Sequence, residues 1–389
     1  MDFDFIVIGA GPIGSYMAKS LVEEGYSVGI FERKKEVGEG VICSGIIGRD
    51  ACEDFHLPEG AIIRGISSLK IFSPSLIELE YSKEKPFAYI VDRKKFDREL
   101  VYEALGEGAE LFLESKVFDI QREKDRIFVK YSKNEQEFRK SARCIIIASG
   151  TSFTLHKKIG FSVPENILWG NRVETSGGDD KGSVEVYILN NPDLSSFGWI
   201  IPLNGHTRIG VLSGRRSREP LENLIYKSNG RFKVNMDRVE MAPIACGNSK
   251  KIAGERVIAV GEAAGQVKTT TGGGIYYGLI GASIAREVLL KAAKMNDFSA
   301  GTLAKYENIW TDRMGDEIKH GIMVRSVASK FTPKLVDNVF DFLKKNPSVQ
   351  EELANNFRFD YHQDIIKSGV KFFLSKVPGK FSLFTSLFR

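Results

Sequence analysis

Phe3-Asp-Phe-Ile-Val-Ile-Gly9-Ala10-Gly11-Pro12-Ile13-Gly14 begins as an apolar run and enters a Gly-x-Gly-x-x-Gly turn. The spacing predicts a buried strand, a tight turn, a helix from Ser15 to Glu24 and a second strand from Ser27 to Glu32. Each glycine has its own reason. Gly9 makes the turn, Gly11 lets a pyrophosphate approach the backbone, and Gly14 lets helix and strand pack closely. Glu32, 18 residues beyond Gly14, puts a carboxylate where it accepts from ribose hydroxyls and disfavours a 2′-phosphate. This half of the chain therefore predicts an adenine dinucleotide and suits NAD or FAD equally.

A second glycine-rich stretch separates the two. Residues Val260 to Leu279 read VGEAAGQVKTTTGGGIYYGL: the end of an apolar strand Arg256–Val260, a glycine- and threonine-rich turn, then a helix opening on Gly272, Gly273 and Gly274. A helix N-terminus carries unpaired N–H groups and partial positive charge, and the glycines clear side chains from it. Around Ile275 such a terminus suits the anionic edge of a flat ring. Joined to the first motif, it predicts FAD with its flavin over this helix.

The segments between complete the frame. Arg143 to Gly150 reads as a buried return strand ending in Ser-Gly, and Asp92 as the N-cap of a helix carrying Arg93, Phe96 and Asp97. Arg93 either meets the cofactor or is a solvated arginine in the first turn. Short strands at 69–72, 76–81 and 88–91 interrupt this fold, and a β-ribbon spans 110–138. A further strand group at 167–174, 183–189, 198–203 and 207–212, with turns at Gly177 and Asn204-Gly205, predicts an antiparallel sheet roofing the flavin. Beyond Tyr306 the pattern is helical, with breaks at Pro333, Pro347 and Pro378. The expected architecture is α/β, α+β overall. It has a discontinuous Rossmann-like FAD-binding domain (1–165 and 250–300, interrupted near 66–91), a substrate-binding β-sheet domain (166–249) and a helical C-terminal region (301–389).

Composition narrows the function. The 389 residues are 42% hydrophobic, ordinary for a protein with a sizeable core. Four cysteines (Cys43, Cys52, Cys144, Cys246) without CxxC spacing and five scattered histidines argue against a metal centre or a disulfide scaffold and fit a reducing, cytoplasmic setting. The net charge of +5 is interspersed, which does not indicate nucleic-acid binding. No signal peptide or apolar run of about 18 residues is read. The tail from Ser368 to Arg389 holds five phenylalanines, four basic residues and no acid. It either touches a membrane peripherally, on its cytoplasmic face, or docks on the protein body.

These residues together resemble the geranylgeranyl reductase family of flavoproteins, which includes the digeranylgeranylglycerophospholipid reductases and shares the p-hydroxybenzoate hydroxylase fold. The resemblance runs over most of residues 1–310. It rests on Gly9 to Gly14 with Glu32, Cys43-Ser-Gly45, Asp92-Arg93 with Phe96-Asp97, Phe197-Gly-Trp199-Ile-Ile-Pro202, and Gly261 to Leu279. It implies FAD contacts from Gly9, Ala10, Gly11, Pro12, Ile13, Gly14, Glu32, Arg33, Arg93, Val117, Gly150, Gly261, Glu262, Gly272, Gly273, Gly274 and Ile275. Three positions depart from the family pattern: Phe197 replaces a tyrosine, Ile201 replaces the phenylalanine before Pro202, and Glu262 replaces an aspartate, its carboxylate still able to accept from a ribityl hydroxyl.

The reaction so implied is saturation of isolated C=C bonds of geranylgeranyl chains on lipids or their precursors. Hydride transfer to an unconjugated alkene needs a proton delivered almost in step. Cys43, Tyr276, Tyr277 and water are the candidates, while Trp199 and Phe197 would wall a lipid channel. With no second dinucleotide motif to hold a nicotinamide, the electron donor stays open among ferredoxin, reduced deazaflavin and NAD(P)H. The alternatives are an FAD-dependent aromatic hydroxylase or other monooxygenase, more distantly a flavin halogenase, and a non-catalytic lipid-binding flavoprotein.

Overall fold

The computed structural model describes residues 1–177, 182–189, 197–247, 249–366 and 368. Its central sheet has eight strands. Phe3–Ile8 lies between Val28–Phe31 and Gln136–Ile147, parallel to both, with Phe5 opposite Val28 and Cys144. Val257–Ala259 extends it beyond Gln136–Ile147, and Glu110–Phe112 beyond Val28–Phe31. Phe5, Ile6 and Val7 are fully buried. A parallel strand covered on both faces cannot alternate, which is why this run is apolar throughout. Gln136–Ile147 does two jobs. Its exposed first half forms a ribbon with Ile127–Lys133, and its buried second half joins the parallel core. Asn134 and Glu135, both at positive φ (51° and 63°), make the tight two-residue turn that such a ribbon needs.

Helices cover the sheet. Pro12–Val22 starts straight from Gly11, with Pro12 at a helix position where its missing N–H does no harm. Arg93–Gly106 is capped by Asp92, whose carboxylate accepts from Lys95 N–H at 3.1 Å. Ile275–Met295 packs on Pro12–Val22 at Gly278, where a Cβ would lie 2.7 Å from the Ile13 side chain, and on the preceding turn at Gly281, where a Cβ would lie 2.0 Å from Gln266.

The second sheet has seven strands in the order Glu240–Cys246, Asn166–Ser176, His206–Ser213, Phe197–Leu203, Val184–Ile188, Ser68–Phe72, Glu78–Ser82. The four strands expected as an antiparallel roof do pair antiparallel, and Val184–Ile188 extends them by pairing with Ser68–Phe72 in parallel. Part of the predicted interruption thus belongs to this sheet. Ala88–Val91 instead joins Ile46–Gly48 and Ile62–Ile66 in a small third sheet. The helix Glu219–Lys227 covers the roof's outer face, its Leu221 and Leu224 buried with Val173 and Val211.

The C-terminal region is helical: Ala300–Ala328, Pro333–Lys345 and Pro347–Asn355. The prolines at 333 and 347 start helices, as N-terminal positions tolerate them. Pro378 and the basic aromatic tail beyond Ser368 lie outside the described residues. Among the described residues no helix is long and apolar enough to cross a membrane.

Close packing along Ile275–Met295 makes a direct prediction. Gly281→Ala drives a methyl into Gln266 and is expected to cost about 1–3 kcal/mol. Gly301→Ala, where a Cβ meets nothing within 4 Å, is expected to be neutral or to stabilise by about 0.5–1 kcal/mol. Urea midpoints of the two variants check this contrast, and equal midpoints contradict it.

Candidate active site

One cavity of about 1090 Å³ connects the two glycine motifs. Gly9, Gly11, Pro12 and Ile13 line one end with Glu32, Arg33, Val117 and Gly150, and Gly261, Glu262, Gly272, Gly273, Gly274 and Ile275 line the middle. Cys43, Arg93, Phe197, Trp199 and Tyr276 border the same space. Residues distant in sequence thus share one chamber.

Backbone sterics explain its dinucleotide end. Gly9 sits at φ +109°, and a Cβ there would come within 2.5 Å of Ala148 O. A Cβ on Gly14 would lie 2.0 Å from Gly9 O, whereas one on Gly11 would meet nothing within 4 Å. Two of the glycines therefore serve packing, and the third leaves room for a phosphate. Gly14 and Ala10 do not themselves line the cavity. Ala10 N–H donates to Glu32 Oε2 at 2.9 Å, and Lys34 N–H donates to Glu32 Oε1 at 3.0 Å. The carboxylate is fixed by the backbone on both oxygens, each with a lone pair left for a hydroxyl.

The triple glycine has a reason beyond the one its sequence suggests. Gly272 is at φ +73°, and Cβ atoms on Gly272, Gly273 and Gly274 would meet Leu212 at 3.3 Å, Lys268 at 2.6 Å and Val267 at 3.3 Å. The glycines let protein close in behind the helix N-terminus, as well as leaving its front clear. Glu262 stands beside it. Its Oε1 accepts from Ala245 N–H at 3.0 Å. Burial, only partly offset by that bond and by the Arg93 charge, pushes its carboxyl from 4.5 up to about 7.

Cys43 and Arg93 meet at the chamber wall. Arg93 is not solvated. Its side chain is 14% exposed and donates twice to Asp97, Nε to Oδ1 at 3.0 Å and Nη2 to Oδ2 at 3.1 Å. Burial alone would raise the Cys43 thiol. The Arg93 charge, the Gly45 N–H directed at Sγ (3.4 Å) and the charge of Arg208 outweigh it, and the net shift is downward. Arg208 also holds this segment by donating to Ser44 O at 2.8 Å and pairing with Glu174 at 2.8 Å.

The two tyrosines separate. Tyr276 borders the cavity, but its hydroxyl donates to Asp54 at 2.8 Å and its pKa is driven up, first by burial. Tyr277 is corrected as a candidate. It lies outside the cavity, 2% exposed, with its hydroxyl beside Glu317. Trp199 and Phe197 line the apolar wall, 5.8 Å apart between ring centroids, with Leu69, Ile71, Val184 and Val186. Gly210 makes room for the Trp199 ring, since a Cβ there would sit 2.4 Å from it. Sequence reading missed Lys268, Phe357, Phe359, Asp360 and His362, which close one side of the chamber. Lys268 lies within the quoted glycine-threonine stretch; the others carry no local signal.

Known proteins resemble this chain in sequence and in fold. A family model described as pyridine nucleotide-disulphide oxidoreductase matches residues 3–173. The digeranylgeranylglycerophospholipid reductase of Methanocaldococcus jannaschii is 28% identical over 356 residues, 88% of this chain and 90% of its own. A reductase of the same name from Methanopyrus kandleri is 28% identical over 92% of this chain and 98% of its own. Among solved structures, a geranylgeranyl bacteriochlorophyll reductase-like protein from Thermoplasma acidophilum superposes with a TM-score of 0.84 at 19% identity, covering 99% of both chains. The halogenase PltM, solved in complex with FAD, gives 0.71 at 14% identity over 100% of this chain and 95% of its own. The fold is that of the Rossmann-type flavin-binding oxidoreductases, and the resemblance to the geranylgeranyl reductase family extends along nearly the whole chain.

Two predictions follow from the polar groups. In the unliganded protein, iodoacetamide at pH 7.5 should alkylate Cys43 about tenfold or more faster than Cys52, whose thiol burial pushes up to about 11; peptide mass mapping reads the two rates, and equal rates contradict the lowered thiol. Glu262 favours its protonated form in the fold, so its contribution to stability is complete below pH 4.5 and is lost as pH rises through about 7. Glu262→Gln should flatten that decline in urea midpoints; an unchanged pH profile contradicts it.

Proposed function

We propose that this protein is an FAD-dependent reductase that saturates isolated double bonds of geranylgeranyl chains carried on a lipid or lipid precursor. The observation that carries this reading is the continuity of one chamber. A dinucleotide turn, a glycine-opened helix N-terminus and an apolar wall border the same space of about 1090 Å³, just above the ~300–1,000 Å³ range of ligand pockets. A flavin dinucleotide and a hydrocarbon chain would lie in it side by side. Residues 1–165 with 250–300 are read as the cofactor unit and 166–249 as the main part of the substrate unit.

The residues present suit FAD. Glu32 would take the adenosine ribose, the open space at Gly11 the pyrophosphate, and Glu262 a ribityl hydroxyl. The N–H groups from Gly273 to Ile275 would face the pyrimidine edge, where positive potential favours the reduced, anionic form. Bound there, the flavin supplies a hydride equivalent. The apolar roof at Trp199, Phe197, Val184 and Val186 would orient the alkene and exclude water. Cys43 would then deliver the proton: Sγ–H gives H⁺ to the second alkene carbon, and Arg93 holds the thiolate until solvent protonates it again. Tyr276 suits this role less, because its hydroxyl already donates to Asp54.

Two electrons must come from outside, from a ferredoxin, a reduced deazaflavin or NAD(P)H. A lipid substrate also favours peripheral contact with a membrane, for which the basic aromatic tail is the proposed element. The likeness to flavin halogenases and monooxygenases carries the fold alone, and the named relatives in sequence support the reductase reading over a hydroxylase.

The test supplies the FAD-loaded protein with dithionite under anaerobic conditions and adds geranylgeranyl diphosphate or, separately, an unsaturated archaeal-type ether lipid. Product mass is expected to rise in steps of about 2 Da, one added hydride and one proton per double bond. Cys43→Ala should lower the turnover about 10²-fold or more. Unchanged lipid mass, with flavin that reoxidises only in air with an aromatic substrate, would assign the protein to the monooxygenases instead.

A further inference from the structure

The wall that sequence reading missed contains a buried ion pair. Lys268 Nζ donates to Asp360 Oδ1 at 2.8 Å, with the two side chains only 5% and 3% exposed. The same ammonium donates to Phe359 O at 3.0 Å and lies 4.5 Å from the centre of the Phe359 ring. Both residues border the chamber. Replacing a buried pair by apolar residues is often neutral or stabilising, so stability gives no reason for a pair here.

Its position gives one. Lys268 builds the turn that leads into the glycine-opened helix: its carbonyl accepts from Gly272 N–H at 2.9 Å, and its own N–H donates to Gly273 O at 3.0 Å. Its side chain runs back along that turn, and a Cβ on Gly273 would lie 2.6 Å from Cε and 3.3 Å from Nζ. A full positive charge therefore stands directly behind the N–H groups proposed to face the flavin. Asp360 opposes it from a short strap, 357–363. Glu317 anchors that strap by accepting from His362 N–H at 2.7 Å and Gln363 N–H at 3.2 Å, and Thr270 Oγ1 meets His362 Nδ1 at 2.6 Å. The second carboxylate oxygen of Asp360 is buried without a hydrogen-bond partner. It presses on Gly48, where a Cβ would come within 1.8 Å. Gly48 ends the segment that begins at Cys43.

We infer that Lys268 and Asp360 are positioning residues that set the charge at the flavin end of the chamber and lock the Cys43–Gly48 segment against the flavin-binding turn. This rests on the proposed FAD site. Lys268 stands nearer the helix N-terminus and Asp360 offsets its charge, so the pair tunes how strongly the site favours reduced over oxidised flavin. Removing the anion should strengthen that preference, and removing the cation should weaken it.

The test measures the midpoint potential of FAD bound to the full chain, by spectral titration against a reference dye, in wild type, Asp360→Asn, Lys268→Met and the double variant. Asp360→Asn should shift the reduced-to-oxidised equilibrium about tenfold toward reduced flavin, and Lys268→Met by a larger factor toward oxidised; tenfold is about 30 mV for two electrons. Gly48→Ala should shift it in the same direction as Asp360→Asn. If an unpaired charge prevents a single variant from folding, the double variant decides: its potential should fall below wild type. Variants that bind FAD at the wild-type potential, or single variants that shift in the same direction, would overturn the inference while leaving the flavin site intact. A wild-type chain that binds no FAD would overturn both readings.

Discussion

The structure depends on a close approach of backbone around one side chain, Ile13. It projects from the first glycine turn toward the second: a Cβ on Gly261 would lie 3.1 Å from it, and one on Gly278 2.7 Å. On the other side of that first turn, Gly9 rests against Ala148 at a distance no side chain could share. Parallel strands fix these backbones from below, and glycine is the residue that lets them meet. The chamber exists because two segments far apart in sequence touch here. Enlarging either glycine contact would separate the dinucleotide end from the helix N-terminus.

Charge is distributed around the chamber under a related constraint. A buried ion is costly unless paired, and each strong charge near the centre has a partner: Arg93 with Asp97, Arg208 with Glu174, Lys268 with Asp360. Cys43 differs. It sits within the field of Arg93 and Arg208 without a carboxylate of its own, which is what lowers its thiol despite burial. Glu262, with a backbone N–H as its main support, moves the opposite way. The chamber therefore holds two groups whose proton affinities have been drawn toward the neutral range from opposite sides, a pattern typical of sites that move protons.

Much of this was legible in the sequence because local sterics wrote it there. Gly9, Gly14, the Asp92 cap and the helix after Gly274 each obey rules acting over a few residues, and all stand where the spacing put them. Glu32 was legible for the same reason, lying one strand beyond the turn. What escaped detection involves contacts across the fold. Nothing local marks Asp360 as the partner of Lys268, or Arg208 as the residue holding Ser44. Ile46–Gly48 is too short for its pattern to register, and in Ile62–Ile66 the Arg64-Gly65 pair breaks the apolar run. Sequence named Tyr276 and Tyr277 together, and only their surroundings in the fold, the chamber for one and Glu317 for the other, separate them.

The central claim is that flavin and lipid share one chamber. Its most direct test is the absorption difference spectrum of protein-bound oxidised FAD as a geranylgeranyl lipid is titrated in. Lipid seated along Trp199 and Val186 would displace water beside the ring, so the flavin bands should shift and sharpen, saturating with lipid binding. Substituting Trp199→Ala should weaken that saturation without releasing FAD. Lipid that binds with no change in the flavin spectrum, or that expels FAD as it binds, would contradict a shared chamber.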